Sequence, residues 1–193
     1  MSILGTTGVV VPYSCSAWID SIRRGIDVAR AAGYRHVAAC TGATSERTAI
    51  RLYGLPGDAL LDMGDFAGAV LKYLRRHPVP RLSIIGGIGK LAKLAEGHLD
   101  LHSARSRADF AALAALVSRS GGTPALAAQV RSSSSALEAL RHCQHHGLPL
   151  GDLIAAAARD TAAAALREAP VQADVVVIDR AGAIVGRAPA APR

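Results

Sequence analysis

Along this chain, short β-branched and aliphatic runs alternate with longer stretches in which apolar residues recur every three or four positions, the rhythm of βαβ units. "TTGVVVP", Thr6 to Pro12, reads as a buried strand ended by Pro12. "SAWIDSIRRGIDVARAAG" then puts Trp18, Ile22, Ile26 and Ala29 on one helical face, with Ser14 or Ser16 to cap its start and Gly33 to stop it. "RHVAAC", Arg35 to Cys40, is the next strand, and "TGATSE" turns from it into a helix carrying Ala49, Ile50 and Tyr53. "DALLDMGD" is a short strand or extended segment, followed by a helix from Phe66 to Arg76. "RLSIIG", Arg81 to Gly86, is a buried strand that runs directly into a glycine-rich turn.

The pattern changes from about Ser106 to Ala169, where alanine-rich helices are separated by "SGGTP", "SSSS" and "HGLPLG". Strand character returns at "DVVVIDRAGAIVG", Asp174 to Gly186, and Asp179 to Gly182 fits a hairpin turn because Gly182 can supply a positive φ. The expected fold is therefore α/β, a mostly parallel sheet flanked by helices, with a helical segment at about 106–170 and a C-terminal β-hairpin. Residues 1–187 are expected to form one α/β domain and residues 188–193, Pro/Ala-rich, a flexible tail.

Composition narrows the function classes. Half of the 193 residues are apolar and 19% are charged, enough to bury a core. No apolar run approaches the roughly 18 residues of a membrane span. "MSILGTTGVVVP" lacks a basic leader and is broken by Gly5, Gly8 and Pro12, which argues against a secretory signal. Cys15, Cys40 and Cys143 form no paired spacing and read as reduced thiols, so a cytoplasmic location without membrane attachment is expected. The net charge of +7 suits an anionic partner as well as a merely basic, solvated surface. Nucleic acid is not expected: two Phe, one Trp and four Tyr are poor stacking material, and the arginines are dispersed.

The densest motif is "GGIGKLAKLAEGHLDLHS", Gly86 to Ser103. It is no P-loop, because Ile84 stands where the first glycine belongs and Leu91 follows Gly89-Lys90, leaving no hydroxyl for magnesium. Gly87 to Ala92 satisfies G-x-G-x-x-A after a strand and into a helix, but Asp109, at the distance of the expected ribose acid, lies in a helical pattern. A tight strand-to-helix turn without a ligand remains open beside it. His98, Asp100 and His102, or His142, His145 and His146, are weak metal sets, since Gly97 is placed to end the helix that would align the first pair. No metal is therefore expected.

Three loops, "CTGATSE", "MGDFAG" and "GGIGKLAK", follow three strand-like segments, and in an open parallel sheet such loops line one crevice. Glu46 or Asp65 could accept bonds from ribose hydroxyls, or each could simply favour the first turn of its own helix. Thr41, Thr44 and Ser45 serve as caps as readily as ligands. No nucleophile is legible: there is no G-x-S-x-G elbow, Cys40 reads as a strand-end core thiol, and no catalytic residue is assigned.

Taken together and in order, "SILGTTGVVVPYS", "CTGATSE", "MGDFAG" and "GGIGKLAKLAEGHLDLHS" resemble the carboxyl-terminal half of the cobalt-precorrin-5B (C-1)-methyltransferases of anaerobic cobalamin biosynthesis, the CbiD family, from Ser2 to about Gly186. Tyr13 stands where the family usually has Met and Leu101 where it has Thr, and the family's amino-terminal portion is absent, which makes it an expected partner. The resemblance implies S-adenosylmethionine as methyl donor and an anionic cobalt-corrinoid as acceptor, methylated at C-1. It marks Thr41, Gly42, Glu46, Gly64, Asp65, Gly86, Gly87 and Gly89 as donor-side positions. Lys90, Lys93, His98, His102, Ser103 and Arg105 would face the acceptor's carboxylates. A non-catalytic module that binds a corrinoid or a partner chain is the alternative; a nucleotide-dependent oxidoreductase would rest on G-x-G-x-x-A alone.

Overall fold

A computed structural model describes residues 14–106 and 108–190, so the expected strand at Thr6 to Pro12 lies outside the described residues. The chain runs α1 (Cys15–Ala31), β1 (His36–Cys40), α2 (Ala43–Tyr53), β2 (Leu60–Asp62), α3 (Ala67–Leu74), β3 (Arg81–Gly87), α4 (Ile88–Ala95), α5 (Phe110–Arg119), α6 (Pro124–Ser132), α7 (Ala136–His145), α8 (Leu150–Leu166), β4 (Gln172–Ile178) and β5 (Ile184–Ala188). The sheet order is β2-β1-β3-β4-β5, parallel throughout except for the antiparallel β4–β5 hairpin.

The period-2 alternation of the strands sorts their side chains onto two unequal faces. Val37 and Ala39, Leu82 and Ile84, and Val175 and Val177 join the main core with the buried faces of α1, α3, α4 and α8. Ala38, Cys40, Ile85, Val176 and Ile178 point the other way, where Ala49 of α2 covers them. Ile50, expected on the helix face beside Ala49, is instead 49% exposed, because α2 meets the sheet along a narrow stripe. At the strand beginnings this thinner face turns polar. His36 Nε2 and Ser83 Oγ lie 2.8 Å apart, and Arg81 donates to Asp174 at 2.7 Å while its guanidinium lies 5.0 Å from the centre of the Tyr53 ring. Burial and the neighbouring Arg81 charge lower the His36 pKa.

The helix boundaries follow local chemistry. Ser14, Asp109, Thr123 and Ser135 cap α1, α5, α6 and α7 by accepting backbone N–H bonds, and Pro124 opens α6. Gly97, at φ 91°, follows the end of α4, so His98 and His102 are not on a shared helix. The hairpin turn forms where it was expected, with Gly182 at φ 83° and its N–H donating to the Asp179 carbonyl. Strand β5 reaches Ala188, one residue into the stretch expected as a tail. Among the described residues no helix is long and apolar enough to cross a membrane.

Helix α8 reaches the hairpin at Gly151, whose backbone lies directly against Val185 and Gly186 of β5. Asp152 Oδ1 accepts the Arg187 N–H at 2.8 Å just beside this contact, fixing the register of helix on strand. A Cβ on either glycine would overlap the opposing backbone, which has no rotamer to yield. Gly151→Ala and Gly186→Ala are each expected to cost at least about 3 kcal/mol in urea unfolding. Gly57→Ala, whose Cβ would meet nothing, is expected to leave the midpoint within experimental error.

The lowered His36 pKa also sets a pH dependence. An unfolded histidine titrates near about 6.5. Below that pH the unfolded chain takes up the proton before the folded one, so stability present above it is lost as pH falls toward the folded value. Unfolding at pH 7.5 and pH 5.5 is expected to show wild type losing more stability than His36→Gln on acidification. An equal loss in both would remove His36 as the cause.

Candidate functional site

Four adjacent parallel strands end along one edge, with Cys40 beside Asp62 and Ile85, and Gly87 beside Ile178. The loops that leave this edge are held together by one side chain. Lys90, in the first turn of α4, donates to the Thr41 carbonyl at 3.1 Å and the Gly64 carbonyl at 3.4 Å, and pairs with Asp65 Oδ1 at 3.1 Å. The turns after β1, β2 and β3 are thus joined through one ammonium group. The 98–101 segment is tied in as well: Leu101 N–H donates to the Asp65 carbonyl, and Lys93 Nζ donates to the Leu101 carbonyl at 2.7 Å. On the outer side Trp18 packs on Gly64, which sits at φ 54° with no room for a Cβ, and Trp18 Nε1 donates to the Asp62 carbonyl.

Above this edge lies a cleft of about 1090 Å³. Thr41, Asp65, Gly87, Gly89, Lys90, Lys93 and Ser103, all marked in the sequence, line it. The two glycines play a role distinct from that of Gly86. A Cβ on Gly86 would stand 2.6 Å from Thr41 Cγ2, so Gly86 lets β3 pack against the β1 turn, whereas a Cβ on Gly87 or Gly89 would meet nothing within 4 Å. Gly87 also precedes α4 without any side-chain cap, leaving first-turn N–H groups at the cleft.

The remaining marked residues stand outside this lining. Gly42 opens α2 and Glu46 sits in its first turn; Gly64 and Gly86 are packed into the wall. His98 is 3.9 Å from Glu96, the His102 ring accepts the Ala104 N–H, and Arg105 pairs with Asp100 at 2.6 Å. Cys40 is buried behind the edge, and burial, with help from Glu46 and Asp62, pushes its thiol up to about 12, so it supplies no thiolate.

Several lining residues were not marked in the sequence: Phe110 of α5, Ser134 and Ser135 before α7, and Asp179 and Arg180 after β4. The Asp179 carboxylate accepts from the Ala181 and Ala183 N–H groups at 2.9 and 2.8 Å, and Arg51 of α2 donates to the Gly182 carbonyl at 2.8 Å. These bonds brace the turn, while the exposed Arg180 makes no hydrogen bond or ion pair within the described residues. The one sequence signal for it was that "DR" ends a strand, which matters only once β4 is known to run parallel to β3. The cleft therefore joins an apolar wall, helix N–H groups and two cations, Lys93 and Arg180, without a carboxylate partner among the described residues, in a shape suited to an anionic ligand with an apolar body.

Residues 100–189 match the family model described as CbiD, C-terminal domain. The chain is 56% identical over 186 residues to the cobalt-precorrin-5B C(1)-methyltransferase of Rhodospirillum rubrum, a match covering 96% of this chain and 52% of that protein. It is 54% identical to the proteins of the same name from Bradyrhizobium sp. and Paramagnetospirillum magneticum, over 97% of this chain and 50% and 52% of theirs. The chain spans about half the length of the curated relatives it matches. No solved structure matches it. Residues 100–189 thus match the C-terminal domain of the CbiD family, and the similarity to the relatives of that name extends across nearly the whole chain.

Proposed function

We propose that this chain supplies the cleft in which S-adenosylmethionine methylates a cobalt-corrinoid, cobalt-precorrin-5B, at C-1. The observation that carries the reading is the coincidence of two things. The chain matches methyltransferases of that name at 54–56% identity, and its cleft of about 1090 Å³ lies where loops after parallel strands meet. The cleft's volume, about 1090 Å³, is at the upper end for one small ligand and suits two. In the transfer the sulfur–methyl bond of the donor breaks as the carbon–methyl bond forms, and S-adenosylhomocysteine leaves. Such a displacement asks the protein for alignment and for neutralisation of the acceptor's carboxylates rather than for a nucleophile, which fits the burial of Cys40 behind the strand ends.

On this reading Thr41, Asp65, Gly87 and Gly89 form the donor side, with the open backbone at the two glycines approaching the donor closely. Gly42, Glu46, Gly64 and Gly86 shape the turns behind them. Lys93, Ser103 and Arg180 face acceptor carboxylates, and Lys90 sets the loop geometry through Asp65. His98, His102 and Arg105 would act at the rim, where the other half of the relatives' length would close the site. A cytoplasmic location goes with the reading and suits the free thiols Cys15, Cys40 and Cys143.

Calorimetric titration with S-adenosylhomocysteine is expected to show saturable binding that Gly89→Val abolishes while thermal unfolding stays cooperative, since that side chain would enter the cleft and not the core. Absence of binding both by this chain and after addition of the amino-terminal half of the Rhodospirillum rubrum relative would overturn the reading. Lys90→Met is expected to lower stability by about 1 kcal/mol, a charge-assisted bond discounted for partial exposure. The same variant should speed amide exchange in the Thr41 and Gly64–Asp65 turns. Unchanged exchange there would show that Lys90 does not hold the loops.

A further inference from the structure

The wall of the cleft has a second side. Asp65 and Leu101 face the cleft, while their chain neighbours Phe66, Leu99 and Asp100 line a separate groove of about 660 Å³ between α1 and α3. The floor of this groove is apolar, formed by Ile19, Phe66 and Leu99. At its rim the Tyr73 and His77 rings stack, with centroids 4.3 Å apart.

The charges around it do not cancel. Each nearby carboxylate already has its own arginine: Asp20 pairs with Arg23, Asp27 with Arg30, and Asp100 with Arg105. Asp27 also accepts from the Tyr73 hydroxyl at 2.8 Å. Lys72, Arg75 and Arg76 line the groove with no hydrogen bond or ion pair from their side chains to any described residue. Arg75 N–H donates to the Leu71 carbonyl and Arg76 N–H to that of Tyr73, so the helical turn continues past Leu74. That puts the lysine and both arginines, three and four positions on, along one face. The dipole of α3 favours cations in its last turn. It does not account for an apolar trough opening beside them.

We propose that this groove is a second ligand site, for a small multivalent anion with an apolar body. Its carboxylate or phosphate groups are met by Lys72, Arg75 and Arg76, and its body lies on the Ile19–Phe66–Leu99 floor. The volume is that of a small-molecule pocket. Arginine's planar fork suits carboxylates and phosphates alike. The site rests on the groove's own charges and shape and does not depend on the proposed methyl transfer.

The test is calorimetric titration of the full chain with benzenehexacarboxylate and, separately, with inorganic tripolyphosphate. The double variant Arg75→Gln/Arg76→Gln is compared with Arg119→Gln/Arg141→Gln, which removes the same charge from exposed positions on α5 and α7. Saturable binding is expected, weakened at least tenfold in the groove variant and changed less than twofold in the control. Tighter binding of benzenehexacarboxylate would assign a polycarboxylate ligand; tighter binding of tripolyphosphate would assign a phosphorylated one. Absence of saturable binding of either probe, or equal weakening in both variants, would overturn the proposal.

Discussion

The functional edge of this molecule depends on the Lys90 ammonium. A parallel sheet delivers its strand ends to one edge but leaves the loops beyond them as separate excursions. Here one cation from the start of α4 reaches the turn carbonyls after β1 and β2 and the carboxylate of Asp65. Those carbonyls have no ladder partner on that side, so the bonds satisfy groups that would otherwise need water. The result is a cleft wall with a defined shape, in which Gly87 and Gly89 remain open to a ligand because the neighbouring chain is held away.

The unequal faces of the sheet explain why the cleft opens where it does. Helices α1, α3, α4 and α8 bury one face in a continuous apolar core, while among the described residues α2 is the helix that covers the other. On the heavier side α8 is drawn onto the hairpin through the Gly151–Gly186 contact, which seats the β4–β5 turn near α4. On the lighter side Arg51 and Thr48 of α2 hold the Gly182 carbonyl from below. Arg180 is therefore presented by a turn braced from both sides of the sheet, a rigid mounting for an exposed cation.

The two cavities flanking the Leu99–Leu101 segment share a chemical character without sharing residues. Both combine an apolar floor with cations that have no carboxylate partner among the described residues.

Local sequence pattern determined the α/β class, β1, β3, the hairpin and the stop of α1 at Gly33, because those depend on local backbone preference and on which face a strand or helix must bury. Of the two serines offered as the α1 cap, the structure uses Ser14. The motif from Gly86 to Ser103 could be placed at a strand-to-helix turn, and its resemblance to the CbiD family was legible in four ordered stretches. Tertiary structure alone decided which marked residues meet. Thr41, Asp65, Gly89, Lys93 and Ser103 come together because strand order β2-β1-β3 brings separate loops side by side. His98, His102 and Arg105, beyond the helix end at Gly97, lie outside the lining and are engaged by Glu96, the Ala104 N–H and Asp100. Arg180 and Phe110 were invisible because strand direction and helix docking are non-local, set by burial between segments that lie far apart in the chain.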